Sequence, residues 1–217
     1  ATFFLVPNMP AKQHNPGHQL RVLKKPSLWL GVSAFTCING AMFGFFSFMS
    51  DFLHEVSAFS FDAVSSVLLA YGFANIVGNM LAGRVFGRYK KLFTRVGPAM
   101  MLVLYSLLYV FAPNGIFAAV LVVLLGICAG FINISGQYMI SSAAREAPDF
   151  SNGLFLTAAN FGTAMGTSLC GIFISLMDSR AALFATGILL IVSLVLSYAR
   201  TTAGSADYEK VCRACPT

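Results

Sequence analysis

Six long apolar runs separated by short polar connectors dominate the chain. They cover approximately Leu28–Ser50, Ala63–Gly83, Val96–Ala112, Ile116–Met139, Gly153–Met177 and Ala181–Ala199. Each comes close to the ~20 residues that a helix needs to cross about 30 Å of hydrocarbon. The runs are apolar on every face, without the alternation that a transmembrane strand requires. A segment surrounded by lipid must satisfy its own backbone N–H and C=O groups, which a helix does. The pattern predicts an all-α integral membrane protein with six transmembrane helices.

The runs differ in their few polar residues, and the difference repeats. The first carries Asn39 and Ser47, and the second Tyr71, Asn75 and Asn79. The third has little beyond Ser106 and two tyrosines. The fourth carries Asn133, Ser135 and Gln137, the fifth Thr157, Asn160, Thr163, Thr167 and Ser168, and the sixth is almost purely aliphatic. Polar, polar, apolar is thus followed by polar, polar, apolar. That order predicts two three-helix inverted repeats whose third members face lipid. Helical spacing aligns the polar positions: Asn39, Phe43 and Ser47 share a face, as do Tyr71, Asn75 and Asn79, and Asn133 with Gln137. Gly153, Thr157, Asn160, Ala164 and Thr167 follow the same rule. Such amides serve either as hydrogen-bonding glue between helices or as the wall of a polar cavity. Four such faces on four helices favour the cavity, with Asn39, Phe43, Tyr71, Asn75, Asn133, Gln137, Thr157 and Asn160 as candidate substrate-contacting residues. The Gly83–Gly87, Gly126–Gly130 and Gly162–Gly166 pairs have GxxxG spacing. The last two predict close helix crossings inside the bundle.

Composition removes the soluble alternatives. The 217 residues are 57% hydrophobic and 10% charged, with 21 Phe and 19 Gly, and mean hydropathy is +0.76. A soluble domain carries about 25% charged residues. A net charge of +6 invites a nucleic-acid reading, but the basic residues sit in clusters between apolar runs, so no nucleic acid is expected. Thirteen of the 14 Lys and Arg fall on one side of the predicted topology: Lys12, Arg21, Lys24, Lys25, Arg84, Arg88, Lys90, Lys91, Arg95, Arg145, Arg200, Lys210 and Arg213. Arg180 alone lies on the other, with Asp51, Glu55, Asp62 and Asp178. The positive-inside rule then places both termini in the cytoplasm, with the lipid bilayer as the protein's medium. The first strong apolar run begins only near Leu28, so no leader is expected.

Enzyme chemistry has little to build on. The three histidines, His14, His18 and His54, lie outside the runs, so Ser135 has no base at helix depth, and no enzymatic activity is expected. The filter loop or charged ring of an ion channel is also missing. Cys37, Cys128 and Cys170 read as packing residues, while Cys212 and Cys215 form a lone CxxC without the further ligands of a zinc site. No metal or cofactor is expected. No Asp, Glu, Lys, Arg or His lies near the middle of any run, although such groups usually carry protons or ions across membranes. Asp51, at the outer end of the first run, is either a coupling group or a solvated helix end.

The segment from Gly78 to Lys91, Gly-Asn-Met-Leu-Ala-Gly-Arg-Val-Phe-Gly-Arg-Tyr-Lys-Lys, closes the second run and enters a connector. It resembles the Gly-rich basic loop after the eighth helix of twelve in the major facilitator superfamily. Gly83, Arg88 and Lys91 match the family pattern, Arg84 adds a basic residue, Gly87 stands in its Asp position and Lys90 in its second Gly position. The departure at Gly87 removes the acid of the family's charge-relay latch. A plain positive-inside anchor is the other reading of this cluster. Ala1-Thr2-Phe3-Phe4-Leu5-Val6-Pro7 resembles the end of a sixth helix, and Leu23-Lys24-Lys25-Pro26-Ser27-Leu28-Trp29 the entry to a seventh. The resemblance covers the whole chain and is nearest to the drug–proton antiporter and arabinose-efflux-permease group.

It implies that residues 1–27 are the end of a preceding helix and a cytoplasmic central loop. Residues 28–199 would be the six-helix C-terminal half of a transporter, and residues 200–217 a cytoplasmic tail. The implied function is secondary active transport of a small-molecule substrate, drug or sugar-like, by alternating access in a bacterial inner membrane. The implied coupling ion is a proton, handled through the N-terminal half. A stand-alone six-helix carrier, or a structural membrane protein that self-associates, is the alternative.

Overall fold

The computed structural model describes residue 23 and residues 26–144 and 147–213, with the side chains of residues 90, 91 and 201–213 left aside. The described chain is helical, with no strand among the described residues. Helix α1 (Pro26–Ser47) passes into the short α2 (Met49–Glu55). Then come α3 (Phe61–Tyr89), α4 (Leu92–Phe111), α5 (Gly115–Ala143) and α6 (Pro148–Leu176). A 3-10 turn (Ser179–Ala181) leads into α7 (Ala182–Arg213). Six helical segments have the length and composition to cross a membrane, the last covering Ser179–Arg200.

Local chemistry sets several ends. Ser60, in extended conformation, caps α3 by accepting a hydrogen bond from the Ala63 N–H at 3.4 Å. Pro148 opens α6, where its missing N–H costs nothing. Asp178 caps the 3-10 turn through the Ala181 N–H at 3.0 Å. At the start of α1 the Trp29 indole N–H bonds the Leu23 carbonyl at 2.8 Å.

The connector after the second run departs from expectation. It is not a loop: helix continues from Phe61 to Phe111 and is broken only at Tyr89, where φ is −122° and ψ 28°. Arg84 and Arg88 therefore stand on the last turns of α3. Arg, Lys and Leu are good helix formers, and the 29 residues of α3 reach about 43 Å at 1.5 Å each. That exceeds the hydrocarbon thickness, so the basic turns project beyond it. The last helix likewise continues past Ala199 to Arg213. The N-terminal segment before Leu23, Lys24, Lys25, Arg145 and Cys215 lie outside the described residues, and the side chains of Lys90, Lys91, Lys210, Cys212 and Arg213 among those left aside.

Two close crossings organise the bundle. In the first, Gly40 and Gly44 of α1 meet Gly162 and Gly166 of α6. A Cβ on Gly166 would sit 2.0 Å from the Gly40 carbonyl oxygen, and one on Gly40 2.6 Å from that of Gly162. In the second, Gly126 and Gly130 of α5 meet α3. A Cβ on Gly130 would lie 2.4 Å from the Asn79 nitrogen, and one on Gly78 2.1 Å from the Ile127 oxygen. Helices of membrane bundles approach this closely where small residues clear the way. Gly126–Gly130 and Gly162–Gly166 are thus internal crossings, and the partner of the latter is another GxxxG pair, Gly40–Gly44. Gly83 and Gly87 meet nothing within 4 Å.

The first span of one three-helix unit crosses the second span of the other, in both directions. An odd number of spans returns the chain on the opposite side, so the two units are inverted relative to each other. The aromatic core runs along α1, with Phe45 against Phe52 and Tyr105 at centroid distances of 5.2 and 5.4 Å. Arg200 of α7 clasps one end of the bundle. Its guanidinium donates to the Ser27 carbonyl at 3.3 Å, the Met139 carbonyl at 2.7 Å and the Ser142 hydroxyl at 3.3 Å. At the opposite end the Ser179 hydroxyl donates to the Glu55 carboxylate.

The third and sixth spans, α4 and α7, expose aliphatic and aromatic strips such as Val103, Val110, Ile188 and Val195. The least buried spans are nevertheless α3 and α6. Only 22% and 17% of the residues in their most apolar stretches are buried, against 61% for α1. Their polar residues do not by themselves bring them inside this bundle.

Candidate functional site

A groove of about 410 Å³ opens where α1, α3, α5 and α6 converge. It is lined by Phe35, Asn39, Phe43, Asn79, Asn133, Ile134, Gln137, Phe155 and Ala159. The two Gly crossings set its width, because they hold α6 against α1 and α3 against α5. Of the eight candidate residues, Asn39, Phe43, Asn133 and Gln137 come together here.

Their situations differ. Asn39 is buried, and its amide donates to the Ala159 carbonyl at 2.7 Å and to the Thr163 hydroxyl at 3.1 Å. It ties α1 to α6 at the groove floor, so the glue and cavity readings coincide in one side chain. Asn133 is half-buried and Gln137 exposed, and both line the groove with no side-chain hydrogen bond to another described residue.

The other four candidates lie elsewhere. Tyr71 is buried behind the groove, stacked on Phe46 with centroids 4.9 Å apart. Asn75 receives the Asn79 amide N–H groups at its backbone oxygen (3.0 Å) and side-chain oxygen (2.9 Å). This ladder leaves Asn79, not Asn75, on the groove wall. Thr157 and Asn160 are exposed on the open face of α6, with the Thr157 hydroxyl turned back to the Gly153 carbonyl at 2.9 Å.

Phe35 and Phe155 are additional wall residues, stacked with centroids 4.8 Å apart and 24° between planes. Little in the sequence separates them from the many other phenylalanines of the spans. Gly136 permits their approach to α5, since a Cβ there would lie 2.0 Å from the Phe35 ring.

The groove continues toward the end of the bundle that carries Arg84 and Arg88. Ile134 and Gln137 also line a vestibule of about 570 Å³, together with Phe86, Tyr138, Ser141, Pro148, Asp149, Ser151 and Asn152. One path, apolar over most of its wall and set with a few amides, therefore leads from Asn39 near the middle of α1 to the mouth between the end of α5 and the start of α6. Among the described residues lining it, Asp149 at the mouth is the only Asp, Glu, Lys or Arg. The rest of the path offers amides, hydroxyls and aromatic faces, which recognise a ligand by hydrogen-bond geometry and apolar contact. Asp51 is exposed on the short helix α2, outside the path.

The proposed loop motif is helical. Gly83, Arg84, Gly87 and Arg88 are exposed on α3, and Lys91 follows the break at Tyr89. The Arg88 guanidinium lies 5.8 Å from the centroid of the Tyr89 ring, and that of Arg95 lies 5.9 Å from the Tyr198 ring.

Comparison with known proteins agrees with this architecture. AraJ of Escherichia coli (strain K12) is 27% identical over 179 residues, covering 81% of this chain and 45% of its own length. The purine ribonucleoside efflux pump NepI of Shigella sonnei (strain Ss046) is 20% identical over 202 residues, or 91% of this chain and 51% of the pump. NepI of Escherichia coli (strain K12) is 19% identical over the same extent. The chain thus spans about half the length of the curated relatives it matches. The sequence profile of the Major Facilitator Superfamily matches residues 1–148 and again residues 32–210. With six spanning helices in two inverted triplets, this multi-pass membrane chain belongs to the major facilitator superfamily.

Proposed function

We propose that the six-helix bundle is the C-terminal half of a secondary active transporter that exports a small, polar, uncharged molecule by alternating access. The continuous path from Asn39 through Asn133 and Gln137 to the vestibule carries this reading. It supplies half of a substrate passage, open toward the basic end of the bundle, which the positive-inside rule assigns to the cytoplasm. The sparse burial of α3 and α6 supports a second six-helix unit seated on that face, rocking against this one about the midplane.

The wall is composed of Asn39, Phe43, Asn79, Asn133 and Gln137. Tyr71, Asn75, Thr157 and Asn160 act behind it or on the face toward the second unit. A sugar-like or nucleoside-like molecule suits neutral amides beside stacked phenylalanines, and NepI's name supplies the probe. The groove itself is lined by no Asp, Glu, Lys, Arg or His, which supports a proton carried through the second unit. Both termini are cytoplasmic in a bacterial inner membrane.

The test reconstitutes the transporter containing this unit in proteoliposomes and follows radiolabelled purine ribonucleosides and arabinose, with and without a pH gradient. Gradient-driven flux weakened by Asn133→Ala and Gln137→Ala supports the proposal. Flux whose substrate affinity and selectivity are untouched by both overturns the assigned wall. A homodimer of this unit that transports alone overturns the two-half reading.

A further inference from the structure

Four hydroxyls lie behind the groove wall, around a small cavity between α1, α4, α5 and α7. Thr94 of α4, Ser135 of α5 and Ser193 and Ser197 of α7 line it, and it offers about 10 Å³. That is about the room one water molecule needs. All four residues are buried. The Ser193 hydroxyl donates to the Ala34 carbonyl at 2.8 Å, and the hydroxyls of Thr94 and Ser135 lie 3.4 Å apart. Ser197 differs. Only 1% of it is exposed, and its hydroxyl has no partner among the described residues. Other hydroxyls of the spans settle on the carbonyl one turn earlier, as those of Ser47, Ser106, Thr163 and Thr186 do. Ser197 forgoes that bond and lines the cavity instead.

We propose that this cavity is a binding site for one internal water molecule, which accepts the Ser197 proton and donates to the Ser193 and Ser135 oxygens. The donor count closes. A hydroxyl carries one donor and two acceptor lone pairs. The Ser193 proton is committed to Ala34, so its oxygen can only accept, and Ser197 brings the proton that no protein group receives. One bond in and two out make the three that a buried water typically forms. An apolar occupant would leave the Ser197 hydroxyl unpaired among apolar neighbours. An ion finds no countercharge, because no Asp, Glu, Lys, Arg or His lines the cavity. The water pins α7 to α5. Phe35 lines both the cavity and the groove, so its ring stands between the water and the groove. No residue of α3 or α6 lines the cavity, and the site is therefore independent of what covers those helices and of what the groove transports.

The test is a density map of the purified protein at a resolution that shows buried waters, paired with hydroxyl-radical labelling by a short X-ray pulse. The pulse splits a bound water in place and oxidises the side chains beside it. Met139 lines the cavity, whereas Met101 is buried outside its lining. We expect one peak about 3 Å from the Ser197 oxygen, and Met139 oxidised several-fold faster than Met101. In Ser197→Ala both the peak and the excess labelling should vanish. Hydroxyl and water leave together there, and the freedom the water regains offsets the bonds lost, so occupancy and not the melting temperature is the readout. The measurements on the unaltered protein stand even if the variant fails to fold. A map without the peak overturns the inference, as does Met139 labelled no faster than Met101. A peak unchanged in Ser197→Ala, or a Ser197 hydroxyl turned onto the Ser193 carbonyl, overturns it as well.

Discussion

Gly166→Ala should destabilise the bundle out of proportion to one methyl group. The added carbon would lie 2.0 Å from the Gly40 oxygen, 2.5 Å from its carbonyl carbon and 2.7 Å from its Cα. All three are backbone atoms, so no side chain can rotate away. Ordinary contact begins near 3.4 Å, and relief requires α1 and α6 to part by about 1.4 Å. A radial gap of 0.5–1 Å already forfeits about a quarter to a half of a van der Waals well. The same movement stretches the Asn39 bonds to Ala159 and Thr163, now 2.7 and 3.1 Å, beyond useful length. Overpacking of this kind costs about 1–3 kcal/mol, and interhelical hydrogen bonds in bundles contribute about 0.6–2 kcal/mol. The expected loss is therefore about 2–4 kcal/mol. Gly187→Ala is the matched control, since nothing lies within 4 Å of its added carbon. There the gain in helix propensity should leave stability unchanged or raised by up to about 1 kcal/mol. Reversible unfolding in mixed detergent–dodecyl sulfate micelles reads both variants. Equal shifts for the two alanines would refute the crossing as a rigid backbone contact.

Three further outcomes follow from the same geometry. Gly130→Ala, at the related α3–α5 crossing, should cost about as much as Gly166→Ala in the same unfolding assay; a neutral result would break the equivalence of the two inverted units. Arg200→Gln should free the start of α1 from the end of α5, with a loss of about 1.5–3 kcal/mol; amide exchange should accelerate around residues 139–143 and stay unchanged at Glu55 and Ser179. Ser197→Ala removes a buried hydroxyl that has no hydrogen-bond partner among the described residues and should leave the melting temperature level or raised, whereas Ser193→Ala removes the 2.8 Å bond to the Ala34 carbonyl and should lower it; the opposite ranking would contradict the burial of both.

The membrane class, the six spans and two of the crossings were legible because each rests on local properties. Run length and apolarity decide insertion, and Gly126–Gly130 and Gly162–Gly166 announce close approach by their lack of side chains. What stayed hidden depends on neighbours. Periodicity put Tyr71, Asn75 and Asn79 on one face of α3, but it could not say that α5 and Phe46 would cover two of them. Phe35 and Phe155 escaped for the same reason, since an aromatic ring in a span looks alike whether it meets lipid, core or groove. The connector at Arg84–Arg95 was read as a loop from its charge, yet charge governs depth in the membrane and does not oppose helix.

The exchanged crossings also govern how the chain can be built. Asn39 finds its acceptor at Ala159, 120 residues later. At about 5–20 residues per second of synthesis, α1 waits about 6–24 s before α6 exists to receive it. Through that interval a polar amide sits in a membrane helix without its native partner, while α3 and α5 can already close their own crossing. Assembly from the inner pair outward leaves α1 unsettled until α6 and then α7 reach it, and makes the interval before α6 emerges the point at which an insertion chaperone has a ligand to hold.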